Sequence, residues 1–138
     1  MERRLWWAGW LFALGSAVHL ADHLRRGQGS VTEELYLAGN LALIVQVAVI
    51  TLVLVRHEAA PTAALFGFPL ALGFLAAHWL PEWSPISDPV WEIESLPALS
   101  YLASSLEVLG ALAVALAGLA IVRAPGGSLA RRGARSAA

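Results

Sequence analysis

The chain has 138 residues, a net charge of −1 and a mean hydropathy of +0.66. Hydrophobic residues make up 58% of it and charged residues 14%, against about 45–50% and about 25% in soluble domains, so the composition indicates an integral membrane protein and excludes a basic nucleic-acid-binding protein. The chain contains no cysteine, which excludes disulfides, thiolate metal sites and iron–sulfur clusters.

Four apolar segments of about 20 residues, the length that crosses a bilayer core, follow one another along the chain. They cover residues 5–24, 35–55, 62–80 and 96–122, with polar or proline-rich stretches between them. The pattern predicts an all-α polytopic membrane protein, with a single four-transmembrane-helix bundle over residues 1–124. A flexible, Arg-rich cytoplasmic tail is predicted over 125–138. Pro69, inside the third segment, can kink that helix.

The first segment begins like a signal peptide, with Arg3 and Arg4 before an apolar run. The N-terminal end of the segment, however, carries three tryptophans, which suit an anchor at a membrane interface. No small-residue cleavage site follows the segment. We therefore expect it to be retained as a transmembrane helix.

Arginine is distributed unevenly about the predicted spans. With the N-terminus inside, the cytoplasmic side carries seven arginines: Arg3, Arg4, Arg56, Arg123, Arg131, Arg132 and Arg135. The outer side carries Arg25 and Arg26. The positive-inside rule therefore predicts that the N- and C-termini are both cytoplasmic in a multi-pass protein of the plasma (inner) membrane.

Polar side chains gather in the outer half of each predicted span, apart from Gln46. Residues on a common helix face are Ser16, His19, Asp22 and His23 in the first span, Glu33, Tyr36 and Asn40 in the second, and Ser100, Ser104 and Glu107 in the fourth; His78 ends the third. Because polar groups facing lipid are costly, they are expected to face one another around a polar cavity open to the outside.

His19 and His23 stand at i and i+4, a spacing at which two imidazoles can chelate one ion. His78 can supply a third imidazole, and Glu33, Glu34 or Asp22 a fourth ligand or an orienting group. The sequence thus predicts a divalent metal ion, zinc or iron first, at His19, His23, His78 and Glu33. Haem b, held between His78 and one of the other two imidazoles, is an alternative cofactor. A metal-free network that holds the helices together also stays open.

Glu107 lies near mid-membrane, where a carboxylate is either functional or neutral and hydrogen-bonded. We predict it as a catalytic acid or base, with Asp22 as a second catalytic group. Asn40 and Ser104 are predicted as cofactor-binding residues of the same pocket, and either is the expected hydrogen-bond partner of Glu107 if that carboxyl is only structural.

These residues leave several functions open. The leading hypothesis is a metal site reached from the outside, acting on a membrane-soluble substrate. The alternatives are a non-catalytic accessory subunit, a haem-binding bundle, and a metal-free lipid isomerase that uses His78 and Glu107. The expected partners are the lipid bilayer and either a second copy or a larger membrane complex, without nucleic acid.

The loop after His78 reads HWLPEWSPISDP over residues 78–89 and resembles a signature of small bacterial membrane proteins. The resemblance assigns no residue roles. Asp88, within it, could fold over the cavity mouth as a lid or an extra ligand.

Overall fold

The computed structural model describes residues 2–124, and over this range the chain forms helices and no strand. α1 covers Arg3–Arg26, α2 covers Glu33–Leu54 and α5 covers Pro97–Arg123. Between them, α3 (Ala60–Ala63), a 3₁₀ turn (Ala64–Phe66) and α4 (Gly67–His78) run on as one segment, Ala60–His78. The all-α class is confirmed, and each boundary lies within two residues of the predicted one. The predicted tail lies outside the described residues.

Local chemistry accounts for these helix ends. α1 ends at Arg26 and is capped by Gly27, whose φ of 86° suits a residue without a side chain. α2 begins after Thr32, whose hydroxyl accepts a hydrogen bond of 3.1 Å from the Leu35 amide. Pro69 has no backbone N–H group, so it cannot donate a hydrogen bond to the carbonyl one turn earlier. The 3₁₀ turn Ala64–Phe66 lies in that preceding turn.

Within residues 2–124, three helical segments are long and apolar enough to cross a membrane. They are Glu33–Leu54, Ala60–His78 and Pro97–Arg123, with mean hydropathies of 2.3, 1.6 and 2.2 over their most apolar windows. α1 has 24 residues but is not among them, because glycine, serine, tryptophan and histidine interrupt its apolar run. The multi-pass prediction is therefore supported by three helices, and the fourth span remains a prediction.

α1 and α5 pack closely through glycine. A Cβ atom added at Gly15 would lie 2.5 Å from the carbonyl oxygen of Leu106, and one added at Gly110 would lie 2.6 Å from the Cα of Phe12. Backbones this close leave no room for a side chain, as is common between membrane helices. The contact places α1 along the length of α5.

The two halves of the molecule differ in character. One half holds the hydrophobic core, formed by residues such as Phe12, Val53 and Val114. In the other half, the C-terminal ends of α1 and α4 meet the N-terminal ends of α2 and α5, and we call it the histidine end. Its buried residues include Asp22, His78 and Glu107. The large side chains on the outer surface are mostly apolar, including Leu14, Leu24, Leu37, Ile44, Leu72, Leu109 and Leu116.

Candidate metal site and adjoining cavity

Three imidazoles meet at the histidine end, as the sequence predicted. α1 contributes His19 and His23 one turn apart, and α4 contributes its last residue, His78. One ligand nitrogen from each ring lies within 4.8 Å of the others. The ring centroids are 4.5 Å apart for His19 and His23, and 4.8 Å apart for His19 and His78. His78 is buried and the other two are half-buried, so the group can hold a metal ion.

The partner of each ring indicates where its proton lies. The Asp88 carbonyl is 3.0 Å from His78 Nδ1 and can only accept, so Nδ1 donates and Nε2 is free to ligate. Arg26 can only donate, and its Nη2 lies 3.0 Å from His23 Nδ1. A neutral His23 therefore carries its proton on Nε2, which lies 2.9 Å from His19 Nε2.

This arrangement sets one condition for binding a cation. If both Nε2 atoms of His19 and His23 are to ligate, the proton of His23 must move to Nδ1, and Arg26 must turn away from that ring. Arg26 has another partner close by, because it donates to the Asp88 carboxylate at 3.1 and 2.7 Å. The site can thus accept an ion without leaving this guanidinium unpaired.

Asp88 connects the loop before α5 to the histidine cluster. Its backbone amide donates to the Ala77 carbonyl at 2.8 Å, its carbonyl accepts from His78, and its carboxylate pairs with Arg26. One carboxylate oxygen lies 3.6 Å from His78 Nδ1. The loop therefore lies against the cluster, with Asp88 placed to orient His78 and Arg26.

Asp22 joins α1 to α5. Its carboxylate accepts from Arg25 at 2.7 Å and from the Ser100 hydroxyl at 2.7 Å, and Arg26 Nε lies 3.3 Å away. These partners occupy both oxygens. The catalytic role of Asp22 remains a prediction, and its contacts place it to orient Arg25 and Arg26.

Glu33 and Glu34 lie elsewhere. Both are exposed on the first turn of α2, and the group of ligand atoms close enough to share an ion consists of the three histidines. The structure thus does not bring the predicted ligand Glu33 to the cluster. The i, i+3, i+7 spacing placed it on the face of Tyr36 and Asn40, and all three are exposed.

Glu107 is buried beside the cluster, with 2% of its surface exposed. Its Oε1 accepts a hydrogen bond of 2.9 Å from Gln46 Nε2, and its Oε2 lies 3.5 Å from His19 Nε2 without a hydrogen bond. The expected partners are engaged elsewhere: Asn40 donates to the Tyr36 carbonyl and Ser104 to the Tyr101 carbonyl. The hydrogen-bond partner that sequence reasoning missed is Gln46.

The depth of Gln46 and Glu107 within their helices could have identified this pair from the sequence. Gln46 lies 13 residues into α2 and Glu107 lies 10 residues into α5, about 20 Å and about 15 Å along the helix axes. Two strongly polar residues near mid-membrane are expected to pair, because each is costly alone.

A cavity of about 570 Å³ adjoins the imidazoles. Its polar lining comes from Ser16, His19, His23, Tyr36, Asn40, Gln46, His78 and Glu107. The rest is mainly apolar and includes Leu20, Leu43, Leu70, Phe74 and Ile86. Asn40 is thus at the predicted pocket, whereas Ser104 and Asp22 are not part of its lining. A largely apolar cavity with a few polar groups at one side is typical of a small-molecule site.

No protein-family model, curated protein or solved structure matches this chain.

Proposed function

We propose that this is a multi-pass membrane protein that binds one transition-metal ion at His19, His23 and His78, beside a cavity for a membrane-soluble substrate. The observation that carries the proposal is the meeting of three imidazoles from two helices, with ligand atoms within 4.8 Å of one another. Imidazole ligands suit zinc, iron and copper, and zinc or iron is the first expectation.

The direct contact between the rings favours a small ion over haem. His19 packs edge-on against both other imidazoles, with centroids 4.5 and 4.8 Å apart. A haem would need a flat space between two opposed imidazoles, and here the rings of His19 and His78 are in direct contact. A bare ion requires only that the ring nitrogens turn towards one point.

In this proposal the chain crosses the membrane four times, with both termini in the cytoplasm and the histidine end outside. Arginine distribution supports the orientation. The two arginines assigned to the outer side are both paired with carboxylates, Arg25 with Asp22 and Arg26 with Asp88. The exposed leucines of α1 support a fourth span.

The adjoining cavity favours an enzyme or a ligand-binding protein over an accessory subunit. Glu107 lines that cavity next to His19, which suits the predicted role as acid or base. The metal-free isomerase hypothesis paired Glu107 with His78, but the imidazole 3.5 Å from its carboxylate is that of His19. The ion, if one coordination position stays open, would supply Lewis acidity.

Elemental analysis by mass spectrometry tests the proposal. The protein would be purified through an affinity tag without histidine and compared with His19→Ala and His78→Ala variants. His57→Ala is the matched control, because His57 is exposed in the loop between α2 and α3. We expect about one metal ion per chain in the wild type and the control, and at least a tenfold lower content in the two cluster variants. Absence of metal from the wild type, or equal content in all four proteins, would overturn the proposal.

A further inference from the structure

The cavity is lined largely by α2 and α4, two helices that make few contacts with each other. Its walls include Leu35, Gly39 and Leu43 from α2, and Leu70, Gly73 and Phe74 from α4. In the membrane placement proposed above, a gap between these helices faces the lipid. A molecule dissolved in the bilayer could therefore enter from the side.

Two glycines in these walls have no packing role. In the described helices, Gly9, Gly15, Gly67, Gly110 and Gly118 each lie so close to a neighbouring helix that an added Cβ would collide. At Gly39 and Gly73, by contrast, an added Cβ would meet nothing within 4 Å. A glycine inside a helix makes that helix less stable than an alanine would. Close packing against a neighbouring helix does not account for glycine at these two positions. Both line the cavity, and their effect is to keep it wide.

Polar atoms without a partner also collect at this cavity. Among the described residues, four buried side-chain atoms lack a hydrogen-bond partner: Ser16 Oγ, His19 Nδ1, Arg26 Nε and Glu107 Oε2. Three of the four belong to cavity-lining residues, and Arg26 Nε has the Asp22 carboxylate 3.3 Å away. Ser16 and Glu107 are more than nine-tenths buried. Buried polar atoms are costly unless something binds them.

We propose that the cavity binds a long-chain alcohol, which enters from the bilayer between α2 and α4 and places its hydroxyl group beside Ser16, His19 and Glu107. This inference rests on the membrane placement and names the substrate class of the proposed site. A hydroxyl both donates and accepts, so it can satisfy these atoms whichever of them carries the proton. Its chain would lie along the leucines and phenylalanine of the walls.

Charged head groups fit the site less well. Arg25 and Arg26, the guanidinium groups of the histidine end, are already bound to Asp22 and Asp88, so a phosphate or carboxylate head would have to compete with these aspartates. The volume of about 570 Å³ falls within the range of about 300–1,000 Å³ for small-molecule sites. One chain with a neutral head is the occupant that the lining favours.

Photo-crosslinking tests the inference on the purified full chain in lipid nanodiscs. The probe is a hexadecyl chain with a mid-chain diazirine and a terminal alkyne, made with a hydroxyl, a carboxylate or a methyl group at the other end. We expect the alcohol to label peptides of α2 and α4 about tenfold more than the methyl probe, the equivalent of roughly two hydrogen bonds. It should also label them more than the carboxylate.

Gly73→Leu supplies the decisive variant, because Gly73 lines the cavity, an added Cβ there would meet nothing within 4 Å, and we expect the larger side chain to narrow the cavity. Ala48→Leu is its control, since Ala48 is exposed on α2 and outside the cavity lining. Labelling by the alcohol should fall about tenfold in Gly73→Leu and stay at the wild-type level in Ala48→Leu. Thermal unfolding of both variants confirms that they are folded.

The inference is overturned if the methyl or carboxylate probe labels as strongly as the alcohol, if the labelled peptides lie outside the cavity walls, or if folded Gly73→Leu labels like the wild type. Metal content is measured on the same samples. Alcohol-selective labelling of a protein without metal would uphold the alcohol site and contradict the metal proposal. A metal-loaded protein without selective labelling would uphold the metal proposal and contradict the alcohol site.

Discussion

The protons of the histidine cluster decide what it can bind. His78 Nδ1 donates to the Asp88 carbonyl, which leaves Nε2 as a lone-pair donor. His23 accepts from Arg26 at Nδ1, and its Nε2 faces His19. A cation and a proton therefore compete for the same nitrogens, and the affinity of the site for metal must depend on pH.

We predict that zinc binds more weakly at pH 4 than at pH 7.5, because protons compete with the cation for the same imidazole nitrogens. Titration of metal-free protein in detergent measures the dissociation constants, with His57→Ala as control. The same affinity at both pH values would contradict the histidine site.

At the scale of helices, the proposed orientation of the chain in the membrane rests on the distribution of charge. Glu2 precedes α1, Glu58 lies between α2 and α3, and Glu92 lies in the loop before α5; all three are exposed. Since the chain has no cysteine, a single Cys at any of these positions is its only thiol.

We expect a membrane-impermeant maleimide to label Glu92→Cys on intact cells, and to label Glu2→Cys and Glu58→Cys only after permeabilisation. The reason is the excess of arginine on the inner side. The three variants serve as controls for one another. If Glu2→Cys and Glu92→Cys are both labelled on intact cells, α1 does not cross the membrane.

Helix positions could be predicted because apolar run length, proline and N-cap residues are local signals. Hydrophobic runs predicted four helices to within two residues, and the i, i+4 spacing placed His19 and His23 on one face. The pairing of Gln46 with Glu107 depends on how α2 faces α5 across the molecule. A helical period gives a residue's face but not the neighbour opposite that face.

The conformation of the loop over residues 79–96 could not be predicted from the sequence either. The contact of Asp88 with both His78 and Arg26 depends on the path of residues 79–96, which includes an unusual positive φ of 50° at Leu96. Exposure of Glu33 likewise depends on the rotation of α2. Patterns along one helix therefore predicted candidates, and contacts between elements selected among them.

For the whole molecule, the division into halves connects structure with the proposed function. A packed core at one end holds α1, α2, α4 and α5 together, so the other end can keep a cavity and a set of unsatisfied polar groups without losing the fold. The packed core and the proposed binding site are thus located at different ends of the molecule. At the histidine end, we propose, three imidazoles hold an ion.

X-ray absorption spectroscopy of the purified, metal-loaded protein tests whether these imidazoles ligate the ion. At the edge of the bound metal, we expect about three nitrogen ligands at about 2.0–2.1 Å, with the multiple scattering of imidazole rings. The imidazole signal should persist in His57→Ala and diminish in His78→Ala. A shell of oxygen ligands without imidazole scattering would contradict the histidine site.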